Sequence, residues 1–224
     1  MTQPFRTLLD ARYSCRGYLA DPIPRPLVES ALQDAQRVPS WCNSQPWHVT
    51  LCGAEETERL RGALYAHALS AGHQSDVPFP AAYEGIYKDR RRVCGWQLYD
   101  AVGVEKGDRA GSGRQMMENF RLFGAPHFLL VTTPRALGAY GILDCGAYVT
   151  ALTLALQERG IASVPMASVA GYAPFMRDWF SIADDRDILC GIAFGRADPD
   201  HPANAFRTER APLAEAADWR WSDE

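Results

Sequence analysis

The chain has 224 residues, a formal net charge of −4, and 47% hydrophobic against 22% charged residues. That is enough for one globular domain with a real core, and the acidic balance gives no electrostatic reason to expect nucleic acid. Six scattered cysteines without a CxxC pair, and an N-terminus lacking a basic stretch followed by an apolar signal core, argue for reduced thiols in a cytoplasm.

In chain order, a helix is signalled from Thr2 to about Ala11, with Pro4 in its first turn and Phe5, Leu8 and Leu9 on one face. RYSCRGY, Arg12 to Tyr18, has no helical period. Pro26 then opens a helix with Leu27, Val28, Ala31, Leu32 and Ala35 inward, which Pro39 ends. PSWCNSQPW, Pro39 to Trp47, is a fixed-shape loop between prolines. HVTLC (48–52) alternates like a strand, Glu55 to Leu69 reads as an amphipathic helix, and a loop follows to about Ala82. Residues 83–106 mix aromatics with the basic run Lys88 to Arg92, a composition suited to a lid over a site and not to a core.

Asp108 to Phe123 is expected to be helical and HFLLVT (127–132) to be a buried strand. ILDCGAYVTALTLALQER, Ile142 to Arg159, is apolar on nearly every face. Such a helix must be covered all round: it is a long central helix, buried in its own chain or also lining a subunit interface. Only 13 uncharged residues separate Asp144 from Glu158, short of the ~20 that span a membrane. A strand near Ala162 to Pro165, a helix opened by Pro174 and a buried strand DILCGIAF (187–194) follow. Residues 195–224 form an extended arm, too weakly apolar to fold by itself, of a kind that wraps over something, often a partner. Strands interleaved with longer helices give one α+β domain over residues 1–224, a sandwich with a central antiparallel or mixed sheet flanked by helices.

Hydrolase and nucleotide signatures fail: there is no GxSxG, HExxH, GxxxxGK[ST], or GxGxxG opening a helix, and no histidine pair has metal-ligand spacing. Two polar patterns remain. Arg12, Ser14 and Arg16 alternate, and Arg207 and Arg210 in the arm are free to converge on them; guanidinium forks suit a phosphate dianion, although arginines at such spacing are also common on solvated surfaces. Ser40, Asn43 and Gln45 sit among Pro39, Trp41, Pro46 and Trp47. Small amides with rigid aromatics suit a planar heterocycle, or form a polar turn with aromatic anchors.

ARYSCRGY, PSWCNSQPW, IASVPMASVAGY after the apolar helix, and ANAFRTERAPL, in that order, strongly resemble the FMN-dependent nitroreductase family. The stretch from Tyr83 to Pro126 is similar to the subgroup that reduces nitroaromatic acids such as nitrobenzoate. The resemblance implies a domain-swapped homodimer with two FMN sites at its interface, and ping-pong hydride transfer from NADH or NADPH to a small aromatic acceptor. It assigns Arg12, Ser14 and Arg16, with Tyr13 beside them through its backbone, to the FMN phosphate, a grip completed by Arg210 and assisted by Arg207. Pro39, Ser40, Trp41 and Asn43 of the other subunit would border the ring, with Pro165, Met166, Ala167 and Ser168 beneath it and Arg121 near its N1 and O2. Trp41, and the lid residues Tyr83 and Arg91, would meet substrate. Since the flavin does the redox chemistry, no side chain is nominated as catalytic, and no metal is implied.

The sequence departs from the family pattern in three ways. Trp41 replaces a small residue, Ala167 stands where some members carry glutamate, and Glu118 and Arg121 look transposed. Within the family the same scaffold supports reductive dehalogenation and enone reduction. Outside it, a flavin-binding dimer without turnover and a thiol enzyme using Cys15 or Cys42 are the other readings.

Overall fold

The computed structural model describes residues 4–221. Helix α1 spans Phe5–Ala11; the expected start at Thr2 lies outside the described residues. Helix α2 (Arg25–Ala35), strand β1 (His48–Cys52), helices α3 (Ala54–Ala68), α4 (Gly85–Ala101) and α5 (Arg109–Met117), strand β2 (His127–Pro134), helix α6 (Gly138–Glu158), strand β3 (Ala162–Met166), helix α7 (Ala173–Phe180) and strand β4 (Arg186–Gly195) follow.

The four strands form one sheet in the order β1-β2-β4-β3, every ladder antiparallel. β2 is buried on both faces, which is why its sequence is a continuous apolar run and not an alternation. Leu129 and Val131 join Ile192 and Phe194 of β4 under α2 and α6, while Phe128 and Leu130 join Ile188 and Ala193 on the side of α3 and α7. Two helical layers thus cover the sheet. Arg159 ties the end of α6 to α2 through Ser30 Oγ (2.7 Å) and Asp34 Oδ2 (2.5 Å).

The central helix is covered by its own chain on one side only. Gly141, Cys145, Tyr148, Leu152, Ala155 and Leu156 are buried. Tyr140, Leu143 and Ala147, at i, i+3 and i+7, form an exposed, largely apolar stripe down the opposite face. By length and composition α6 is apolar enough to cross a membrane, yet its inner face fills the core and its Asp144 accepts a hydrogen bond from the Trp41 amide (3.1 Å).

Other boundaries differ from expectation for local reasons. The Asp108 to Phe123 helix stops at Met117 and runs into turns, and the chain goes left-handed at Leu122 (φ 54°) and Phe123 (φ 52°), so no helix reaches the expected end. Its start is capped by the Asp108 carboxylate, which accepts from Gly111 N (2.7 Å). The lid region is a 17-residue helix, α4, that buries no residue. Leu27 is exposed and Phe5 points outward at 68% exposure, so α1 contributes nothing to the core of its own chain.

Candidate cofactor site

After α1 the backbone extends and pairs with the free edge of β3: Ser14 bridges Ser163, and Cys15 N donates to Ser163 O (3.2 Å). The arginine segment therefore lies alongside the strand that ends in Pro165 and Met166. Two residues further along β3 than Ser163 is only ~7 Å, so the two sets of expected residues share one edge of the sheet.

The arm is fastened to the same segment by Asn204. Its Oδ1 accepts from Arg16 N (2.8 Å), and its Nδ2 donates to Gly17 O (2.8 Å) and Asp198 O (2.9 Å). Asp198 N donates back to Gly17 O (3.0 Å). Gly17 is required here by close approach: a Cβ would lie 2.1 Å from the His201 ring. This clasp brings Arg207 over the Tyr13 ring, 3.6 Å from its centroid, a contact that uses the Tyr13 side chain where only its backbone was expected to matter.

The outcome is a cavity of about 550 Å³ lined by Arg6, Arg12, Ser14, Arg16, Arg207 and Arg210, with Tyr13 and Cys94 of α4 on its wall. Among the described residues, none of Arg12, Arg16, Arg207 or Arg210 forms an ion pair with a carboxylate. Burial and the nearby Arg210 guanidinium pull the Arg12 pKa below its ordinary value, and burial does the same to Arg16. Partly buried Arg12 and Arg16, with Arg210 repelling Arg12, are cations that an anion would relieve. The arginines at the two ends of the chain, 188 positions apart at the clasp, do converge.

Beyond the cavity, Pro165 and Ala167 are exposed while Met166 between them is buried at 3%. Ser168 Oγ donates to Asn119 Oδ1 (3.1 Å). Arg121 lies over the Tyr65 ring (4.6 Å) and 3.8 Å from Glu118. On the lid, Arg91 stacks over Tyr83 (5.3 Å), and Arg90 pairs with Glu215 of the arm (2.8 Å).

Pro39, Ser40, Trp41 and Asn43 do not reach this cavity within one chain. Their loop sits on α6, where Pro39, Ser40 and Trp41 border a separate groove of about 500 Å³ with Leu143, Gly146 and Ala147; Trp41 meets Tyr140 edge-on at 4.2 Å. Cys42, Asn43 and Gln45 are all left-handed (φ 51°, 56° and 47°), a rigid knuckle closed by Gln45 N donating to Ser40 Oγ (2.9 Å).

A cysteine nucleophile is poorly served by Cys15. It is buried, burial raises its pKa, and its thiol donates to Gly17 O (3.2 Å). Sequence reading passed over Asn204, Gly17 and Arg6. Asn204 stood inside the quoted ANAFRTERAPL, but nothing local distinguishes a clasping asparagine from a turn asparagine.

The sequence model of the nitroreductase family matches residues 9–196. The chain is 30% identical to a 4-nitrobenzoate reductase of Nocardioides sp., over 99% of this chain and 92% of that protein. It is 32% identical to nitroreductase NfnB of Mycolicibacterium smegmatis, over 96% of this chain and 92% of that protein. Among solved structures, the FMN- and NADPH-dependent nitroreductase NfnB from Sphigopyxis sp. strain HMH superposes with a TM-score of 0.94 at 30% identity, over 98% of this chain and all of that one. The FMN-dependent NfnB from Mycobacterium smegmatis in complex with NADPH gives 0.92 at 30% identity, over 96% and 97%.

Proposed function

The chain belongs to the nitroreductase family, and from that premise we propose that it is an FMN-dependent oxidoreductase that takes hydride from NAD(P)H and reduces nitroaromatic or quinone-like acceptors by a ping-pong mechanism. The carrying observation is the convergence of Arg12, Arg16, Arg207 and Arg210 on one cavity beside the exposed end of β3. That donor set fits FMN: a phosphate dianion takes two or three charge-assisted donors, and among the described residues these cations have no carboxylate partner.

Arg12, Ser14, Arg16 and Arg210 would hold the phosphate, with Arg207 fixed on Tyr13 behind them. Pro165 to Ser168 offer a partly exposed surface for the ring, with Ser168 anchored by Asn119. Arg121 offers positive charge to the pyrimidine edge. When bound, FMN supplies the two-electron chemistry; the protein binds it, orients it and excludes water. The acceptor nitro group passes through nitroso to hydroxylamine in successive two-electron steps. Tyr83 and Arg91, stacked on one another at the lid, would meet an anionic acceptor such as a nitrobenzoate.

A homodimer completes the reading. The exposed stripe on α6, continued by Trp41 at 55% exposure, and Leu213, Trp219 and Trp221 of the arm at 63%, 69% and 80%, are apolar surface that a second copy would cover. In that assembly the partner's Pro39, Ser40, Trp41 and Asn43 would wall the ring, and the arm would cross between subunits. The six unpaired cysteines suit a cytoplasmic setting.

The test is an absorption spectrum of the purified protein, taken before and after anaerobic NAD(P)H and then after a nitroarene. A flavin band that bleaches with the nicotinamide and recovers with the acceptor is expected. Protein that is yellow yet oxidises NAD(P)H with no nitroarene or quinone, or that binds no FMN, would overturn the proposal.

A further inference from the structure

We infer that Arg61 and Tyr65 of α3, neither of which touches the arginine cavity, are positioning residues that hold Arg121 and Phe123 in place for the cofactor; this rests on the FMN reading above. The turn that carries these two residues is unusual. Leu122 (φ 54°), Phe123 (φ 52°) and Gly124 (φ 76°) are three consecutive left-handed residues, and the first two are bulky and buried at 0% and 6% exposure. Only the glycine adopts that region without cost, so the surroundings must over-determine the other two.

Arg61 supplies the restraint. Its side chain is 16% exposed, and each of its three nitrogens is engaged. Nη1 donates to Arg121 O and Nη2 to Ala125 O (2.7 Å), the two carbonyls that flank the left-handed run, while Nε is held by Glu58 Oε2 (2.8 Å). Arg61 thus clamps both ends of the turn at once, with a planar fork that no other side chain provides.

Tyr65 lies one helical turn further along the same face of α3. Its ring carries the Arg121 guanidinium at 4.6 Å. One helix therefore fixes Arg121 at both its backbone and its head group, and α3 is itself seated by the fully buried Leu60 and Leu64. Through the same turn, the Phe123 ring is set beneath Arg16, whose guanidinium carbon lies 6.0 Å from the ring centroid. The support on α3 thus reaches two of the cations assigned to FMN, Arg121 by direct contact and Arg16 through Phe123, without lining the arginine cavity itself.

The experiment compares the wild-type holoprotein with Arg61→Lys, which keeps the charge but cannot bridge two carbonyls, and with Tyr65→Leu, which removes the ring under Arg121. The readouts are FMN and riboflavin dissociation constants by flavin-fluorescence titration, the bound-flavin reduction potential, and melting temperature. R61K is expected to weaken FMN by about tenfold and to shift the potential in the same direction as Arg121→Ala. Adding R121A to either variant should then change the potential by less than it does in the wild type. Variants that only lose melting temperature, with FMN affinity and potential at wild-type values, or whose effects add independently to that of R121A, would overturn the inference. A wild-type protein that binds no FMN would overturn the functional reading, and this inference with it.

Discussion

Replacing Asn204 with alanine tests the claim that one side chain assembles the cofactor site from the two chain ends. The residue is 7% exposed and its side chain makes three hydrogen bonds, to Arg16 N, Gly17 O and Asp198 O. Each lost bond to a buried backbone group costs about 1 kcal/mol, so the whole loss is about 3 kcal/mol. At about 2–4 °C per kcal/mol for a domain of this size, thermal denaturation of the apo protein should show a drop of roughly 6–12 °C. Because Arg16 and Arg207 both lean on this segment, a shift that breaks one charge-assisted bond to phosphate adds about 1.4 kcal/mol, or about tenfold in FMN affinity. Riboflavin, which has no phosphate, should lose much less. Asn204→Asp is the sharper control: it keeps the acceptor for Arg16 N but turns a carboxylate toward the carbonyls of Gly17 and Asp198, and it should be at least as damaging as alanine. An alanine variant that melts within about 2 °C of wild type and binds FMN equally well would refute the clasp.

Arg12→Ala and Arg210→Ala should each weaken FMN by roughly tenfold or more while leaving riboflavin nearly unchanged, and raising the salt concentration should narrow the gap between the two flavins; equal losses for both flavins would contradict a phosphate role. Gly17→Ala forces a methyl group to within 2.1 Å of the His201 ring, an overpacking that should cost about 1–3 kcal/mol and is read as a lower melting temperature together with weaker FMN binding. His127 is held neutral by burial, its Nε2 accepting from Ile23 N at 2.8 Å, so its pKa is lowered in the fold. Unfolding then takes up a proton as pH falls below the ordinary histidine value of about 6.5, and stability is lost from there down through the depressed folded pKa. Melting curves from pH 7.5 to 5 should show that loss in the wild type and a shallower one in His127→Gln. Arg91→Ala should raise KM for a carboxylated nitroarene and leave a neutral one unchanged; equal effects would remove the lid arginine from substrate recognition.

The sheet and the central helix were legible because burial writes itself into sequence. β2 is continuous and apolar, since both of its faces are covered, and β1 and β4 fall within a residue or so of their expected spans. α6 was legible as apolar on every side, but sequence alone left open whether chain or partner covered it, and the chain covers one side. The lid resisted because α4 buries nothing, so no apolar period marks a helix there. The break after Met117 resisted because Leu122 and Phe123 are ordinary helix and core residues whose left-handed backbone is imposed by tertiary contacts, with only Gly124 as a hint. The arginines could be nominated by type and spacing. What joins them could not, because Asn204 meets Arg16 across 188 positions, and side-chain pairing over such a distance leaves no local trace.

That pairing also orders events in time. The segment from Arg12 to Gly17 is made long before both the strand it pairs with and its fastener at Asn204, so through that interval its cations lack the arm that closes their cavity. Chain arrested upstream of Asn204 can already collapse around β2 and α6, yet its anion grip has no second jaw. A chain cut before Asn204 should therefore bind flavin more weakly than the whole one even where its core has collapsed.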